Sequence, residues 1–176
     1  MARTVALDQQ YFDRIRENDL FYVDKTAFLR TWWKGRDTVT LITRPRRFGK
    51  TLMMSTVECF FSTKYADRAD LFEGLDVWND TAMRAEQGTY PVIFLSLADL
   101  KPSSLDEMLK IFSTLITLVF NSWEELLLPG MNDKEREIYA AVRPGMDAAA
   151  AKGAVKFLCG LLERHFGKKV IILLDE

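Results

Sequence analysis

The chain has little of what marks several large classes of protein. It has two cysteines in 176 residues, Cys59 and Cys159, far apart and without Cys-x-x-Cys spacing. Neither a disulfide framework nor a cysteine-based zinc site is indicated, and the compartment implied is a reducing one, so the chain reads as cytoplasmic. Histidine occurs once, at His165; near the end of an expected helix it is better placed to meet the last carbonyls than to catalyse. The formal net charge is −1, so no global field draws the chain to nucleic acid or to an anionic membrane. No apolar run approaches the roughly 20 residues of a membrane span, and residues 1–10 lack the apolar core of a secretion signal. Repeats and long low-complexity linkers are absent too. What remains is ordinary globular composition, with 12 phenylalanines and four tryptophans favouring a packed interior over disorder. The length suggests one domain with a real core.

The informative stretch is Arg44-Pro45-Arg46-Arg47-Phe48-Gly49-Lys50-Thr51. It follows a β-branched apolar run, 38–43, that reads as a strand, and precedes a segment with helical spacing, 52–61. Strand, tight turn ending Gly-Lys-Thr, and helix form the context of a phosphate-binding P-loop, or Walker A motif. In such a loop, backbone N–H groups of Arg46, Arg47, Phe48, Gly49, Lys50, Thr51 and Leu52 curl around phosphates at the positive end of a helix. Lys50 would reach the β- and γ-phosphates of ATP, and the Thr51 hydroxyl would ligate Mg²⁺. The motif departs from the usual pattern at its first glycine, where Arg44 stands, and Pro45 offers no N–H. The plain alternative is an ordinary strand-to-helix turn with solvated arginines. Nucleic-acid contact is a third reading of those arginines, but their place on the rim of a triphosphate site favours the nucleotide.

Upstream, 11–19 could form one or two helical turns. Asp24 is placed to cap a helix over 25–34 that ends before Gly35, with Phe28, Leu29, Trp32 and Trp33 on its buried face. The functional alternative is that Tyr22, Asp24 or Lys25 borders the nucleotide base. Downstream, Cys59 reads as a small packing residue, 67–79 as a loop with apolar anchors, and 81–87 as a short helix. Residues 91–97 predict a strand covered on both faces. Ser103 or Ser104 is placed to cap a long helix whose apolar face is Leu105, Met108, Leu109, Phe112, Leu115, Ile116 and Val119. Further helical segments are expected over 122–128, 132–142 and 147–165, the last stopping near Gly167.

The chain finishes Val170-Ile171-Ile172-Leu173-Leu174-Asp175-Glu176. An apolar strand ending in two acids places carboxylates at the sheet edge where α/β proteins bind ligands. With an upstream P-loop it is the Walker B pattern: Asp175 for Mg²⁺, Glu176 to orient or deprotonate the attacking water. The bland reading is a strand whose solvated end happens to be acidic.

Taken together, Tyr22-Val23-Asp24-Lys25-Thr26, the 44–51 loop, Tyr90-Pro91-Val92-Ile93 and 170–176 resemble the predicted AAA-ATPase-like family of prokaryotic proteins, over nearly the whole chain. In that family the Arg-Pro-Arg-Arg-Phe-Gly-Lys loop is usual. The resemblance implies an α/β fold, a P-loop NTPase three-layer sandwich with a parallel sheet, of the additional-strand, catalytic-glutamate type. It also implies a C-terminal domain similar to PD-(D/E)XK nucleases in many members, and hence a role near nucleic acid. Relatives continue past Asp175-Glu176 with sensor and arginine-finger elements, so residues 1–176 are expected to be the N-terminal part of one ATPase domain, truncated after the Walker B strand. In the family's sheet the strand after Walker B inserts between the two motif strands. Without it, 38–43 and 169–174 either pair directly or leave exposed edges, and poor stability of the isolated piece is expected.

The function expected is Mg²⁺-dependent ATP binding and hydrolysis coupled to a conformational change in an attached domain. A piece this short would be inactive or weak. The rivals are a nucleotide-sensing switch with little hydrolysis, a P-loop kinase, and, least favoured, a nucleic-acid-binding module. Oligomerisation is left open, and no membrane partner is expected.

Overall fold

The structure is a computed structural model and describes residues 4–5, 9–45, 47–98 and 101–175. It is α/β, and its contacts cluster into two compact units, Met1–Val92 and Ile93–Glu176. Among the described residues, no single helix is long and apolar enough to cross a membrane.

The first unit is built around aromatic side chains. Helix α1 (Phe12–Glu17) and helix α2 (Ala27–Gly35) precede α3 (Lys50–Phe61), and three 3₁₀ turns lead to α4 (Thr81–Glu86). Phe12, Phe60 and Phe72 are fully buried. Phe72 stacks on Phe12 with ring centroids 4.9 Å apart and meets Phe60 edge-on at 4.9 Å, arrangements that add to simple area burial. A second cluster joins Trp33 to Phe61 at 4.7 Å and to Tyr90 at 4.9 Å. The Phe12 N–H donates to Ser55 Oγ at 3.0 Å, so α1 is pinned to α3 inside the core. Gly88 is required here on two counts: its φ is +68°, and a Cβ would lie 2.4 Å from Ala66 Cα.

The second unit holds the regular sheet. Strand β1 (Val92–Ser96) pairs with β2 (Ile171–Asp175) in parallel, and the Leu97 N–H donates to the Asp175 carbonyl at 2.8 Å. The crossover consists of α5 (Leu105–Asn121), α6 (Glu124–Leu127), α7 (Asp133–Ala141) and α8 (Ala148–Phe166). Their caps follow from the sequence. Ser104 accepts from the Glu107 N–H, Asp147 from the Ala150 N–H, and Asn132 forms a reciprocal capping box with Glu135. Gly167 ends α8 at φ +64°. The core runs through Ile93, Leu95, Ile116, Phe120, Leu158 and Leu162.

Three expectations are corrected. Residues 38–43 form no strand, although the α3 expected after the loop does form. Val39 and Leu41 are 86% and 83% exposed; a β-patterned run needs a neighbouring strand to satisfy its backbone, and among the described residues none pairs with it. Strand β2, whose apolar run reads as a buried strand, has one face open: Ile172 and Leu174 are exposed while Leu173 and Asp175 are buried. On α5 the inward face is rotated from the one expected: Ser113, Ile116, Thr117 and Phe120 are buried, whereas Leu105, Met108 and Leu109 are exposed. The wide apolar arc on this helix left its orientation undetermined until neighbours packed against it.

Candidate functional site

The 44–51 loop turns sharply into α3. Gly49 (φ +72°, ψ 32°) is the residue before the first helical position, Lys50. Arg47 is also left-handed, at φ +66°, a conformation that costs a side-chain-bearing residue about 1–2 kcal/mol. Two such residues within three positions curl the backbone, which is how successive amides come to form an anion-binding concavity. A Cβ on Gly49 would meet nothing within 4 Å. Glycine is therefore demanded by the dihedral angle, and the space in front of it is open. Arg44, Pro45, Arg47, Phe48 and Gly49 are all exposed. The first turn of α3 has no side-chain cap and contains no acidic residue of its own, which leaves the positive end of the helix dipole without a local countercharge from that turn. Thr51 and Leu52 are half-buried in that turn. Arg46 lies outside the described residues.

Beside this loop lies a cleft of about 400 Å³, within the size range of small-molecule sites. From the loop and α3 it is lined by Arg47, Phe48, Gly49, Leu52, Met53 and Thr56; the opposite wall carries Gln9, Ile15, Phe21, Tyr22, Val23 and Lys25. Of Tyr22, Asp24 and Lys25, the three weighed as neighbours of a base, Tyr22 and Lys25 line this cleft and Asp24 does not. Burial pushes the Tyr22 phenol up from its ordinary value, partly offset by hydrogen bonding to Thr56. The segment's run of large side chains, Leu20 to Val23, was the signal for this wall. Met53 and Thr56, buried on α3, form the floor of the cleft.

Asp24 is not the helix cap. The residue before α2 is Thr26, without a side-chain cap bond. Instead Asp24 clamps the wall from behind: its Oδ1 accepts from the Thr26 N–H at 2.8 Å and the Thr26 hydroxyl at 2.7 Å, and its Oδ2 accepts from the Asp76 N–H at 2.7 Å. Thr26, fully buried, accepts in turn from the Val77 N–H at 3.1 Å. Asp and Thr commonly organise turns this way. Partial burial works to raise the Asp24 carboxyl, but the hydrogen bonds from Thr26 and Asp76 outweigh it and hold the group below its ordinary 3.8. A carboxyl depressed on folding contributes stability above its unfolded pKa, and that stability is lost as pH falls through the lower folded value. Asp24→Ala should therefore cost about 1–2 kcal/mol at pH 7 and lose less further stability than wild type on acidification below about pH 4. Urea unfolding at pH 7 and pH 3 measures both; a variant with an unchanged acid limb would refute the clamp's pH role.

In the second unit, Asp175 ends β2 at 4% exposed, and its Oδ2 has no hydrogen-bond partner among the described residues. A buried, unsatisfied carboxylate oxygen is costly. Such groups persist where function requires them. Asp175→Ala should raise the unfolding free energy by about 1–2 kcal/mol, read as a higher urea midpoint; a lower midpoint would mean the carboxylate is structurally satisfied. Among the described residues, no group of three or more His, Cys, Asp or Glu side chains could hold a metal by itself. Asp175 in the second unit and the Thr51 hydroxyl in the first are each oxygen donors of the hard type that Mg²⁺ accepts, and Mg²⁺ commonly completes its shell with water and phosphate. Glu176 lies outside the described residues. His165 sits in the last turn of α8, its ring edge-on to Phe166 at 4.8 Å.

Comparison with known proteins adds a family. A 70-residue stretch is 44% identical to a protein of Azotobacter chroococcum mcd 1 described as "Uncharacterized protein in vnfD 5'region". That stretch is 39% of this chain and spans only 12% of the relative's length. No solved structure matches the chain. The model of the family described as Predicted AAA-ATPase matches residues 7–176, and the chain belongs to that family.

Proposed function

We propose that this chain is the nucleotide-binding part of an Mg²⁺-dependent ATPase of the P-loop, three-layer type, whose hydrolysis drives a conformational change in an attached domain. The observation that carries the reading is the left-handed Gly49 at the uncapped, exposed start of α3, followed by Lys50 and Thr51. An exposed left-handed turn into the positive end of a helix whose first turn carries no acid suits a polyanion.

In this reading, the loop amides from Arg46 to Leu52 and the Lys50 ammonium bind the β- and γ-phosphates of ATP. Thr51 and Asp175 are the residues that would hold Mg²⁺, which when bound would supply positive charge against the phosphate oxygens. Glu176 takes a proton from water as the water oxygen bonds to the γ-phosphorus and the bond to the β–γ bridging oxygen breaks, leaving ADP and phosphate. Positioning and charge stabilisation supply most of the acceleration in this chemistry. The membership in a family whose description is an ATPase supports nucleotide binding at the coarse level. The fusion to a nuclease-like domain, and with it action near nucleic acid, is a proposal for the whole protein, as is assembly into an oligomer.

The direct test is calorimetric titration of the chain with ATP in the presence and absence of Mg²⁺, alongside steady-state phosphate release. Saturable binding strengthened by Mg²⁺ is expected. Absence of any ATP or tripolyphosphate binding would end the reading.

A further inference from the structure

We propose that the cleft along α3 holds the base and ribose of the nucleotide, with Phe21, Val23 and Phe48 as an apolar rim that a bound nucleoside covers. This rests on the reading of the Gly49 loop as the phosphate site.

The first argument is exposure. Phe21, Val23 and Phe48 are 53%, 59% and 61% exposed, and all three line the same cleft. Single exposed apolar side chains are normal, but three rimming one concavity mark a surface made to be covered. The second argument is helix geometry. Gly49, Leu52, Met53 and Thr56 line the cleft from α3, a spacing of i, i+3, i+4 and i+7 that places them in one stripe. The cleft therefore starts at Gly49 and runs about 10 Å along the helix, at ~1.5 Å per residue. A ligand with an anionic end and a flat, largely apolar body fits that order. The third argument is rigidity. Asp24 and Thr26 tie the opposite wall to the backbone of Asp76 and Val77, so Tyr22 and Lys25 are held before any ligand arrives, which lowers the ordering cost of binding. Polar side chains in the cleft are Gln9, Tyr22, Lys25, Arg47 and Thr56; Thr56 is buried and donates to the Leu52 carbonyl, so Tyr22 and Lys25 are the groups placed to orient a base or ribose while the rim supplies contact area.

The test compares ATP with inorganic tripolyphosphate, both with Mg²⁺, by calorimetric titration of the 176-residue chain and its Phe21→Ala/Val23→Ala double variant. Both side chains are exposed, so folding should be little affected, and a thermal melt checks this. ATP affinity is expected to fall about tenfold in the variant as apolar contact is lost. Tripolyphosphate affinity should stay within about twofold, because its amide and Lys50 contacts remain. Equal losses for both ligands, or an unchanged ATP affinity, would overturn the nucleoside assignment. Wild-type chain that binds tripolyphosphate as tightly as ATP would also overturn it while leaving the phosphate site standing. If wild type binds neither, the phosphate reading fails first and this inference falls with it.

Discussion

Lys50→Ala should lower the affinity for Mg²⁺-ATP by about a hundredfold or more, a loss of roughly 3 kcal/mol. Lys50 opens α3 immediately after the left-handed Gly49. Its ammonium is the one compact cation that the motif directs at the β- and γ-phosphates, and charge-assisted contacts are about twice as strong as neutral ones. The backbone amides remain in the variant, so weak residual binding of a polyanion is expected. Alanine is the best helix former, which keeps α3 intact and separates lost binding from lost folding. Titration with ATP, together with a thermal melt of the ligand-free chain, checks the prediction. Wild-type affinity in a well-folded variant would remove Lys50 from the site.

Glu176→Gln should leave ATP affinity within about threefold and reduce turnover by roughly 10²–10⁴, the usual contribution of a positioned general base. The substitution preserves side-chain shape but removes the basic carboxylate. Its effect should therefore fall on the step in which water loses its proton, not on ground-state binding. Turnover must be measured in the whole protein, where any groups supplied from outside these residues are present. ATP hydrolysis at the wild-type rate would show that another group activates the water. Tight binding with trapped nucleotide would support the assignment and provide a variant suited to finding what the nucleotide-bound form engages.

Much of this molecule could be read from residue order because local physics decides it. Ser104, Asn132 and Asp147 cap their helices because short polar side chains satisfy free amides wherever a helix starts. Gly49 and Gly167 sit at positive φ for a similarly local reason. The β1 and β2 strands followed from short apolar runs bounded by turn residues. Other features could not be read this way. Val39 and Leu41 alternate as a strand would, yet whether they pair depends on a neighbour that no local pattern supplies. Asp24 precedes a helix and looked like its cap. Its distant partner Asp76 lies 52 residues away, and only the folded chain brings it there.

The residue order by itself determined the chemistry: a Gly-Lys-Thr turn into a helix, an apolar strand ending in two acids, and the family to which such a pair belongs. These are statements about amides, an ammonium and carboxylates at fixed chain positions, and they hold in any fold that keeps the neighbouring elements. Tertiary packing alone decided that Tyr22, Lys25 and the exposed Phe21 and Val23 face Gly49 across one cleft, and that Asp175 is buried with an oxygen unsatisfied. Burial and proximity between distant segments arise from how whole elements fit together, and spacing along the chain carries no record of that fit.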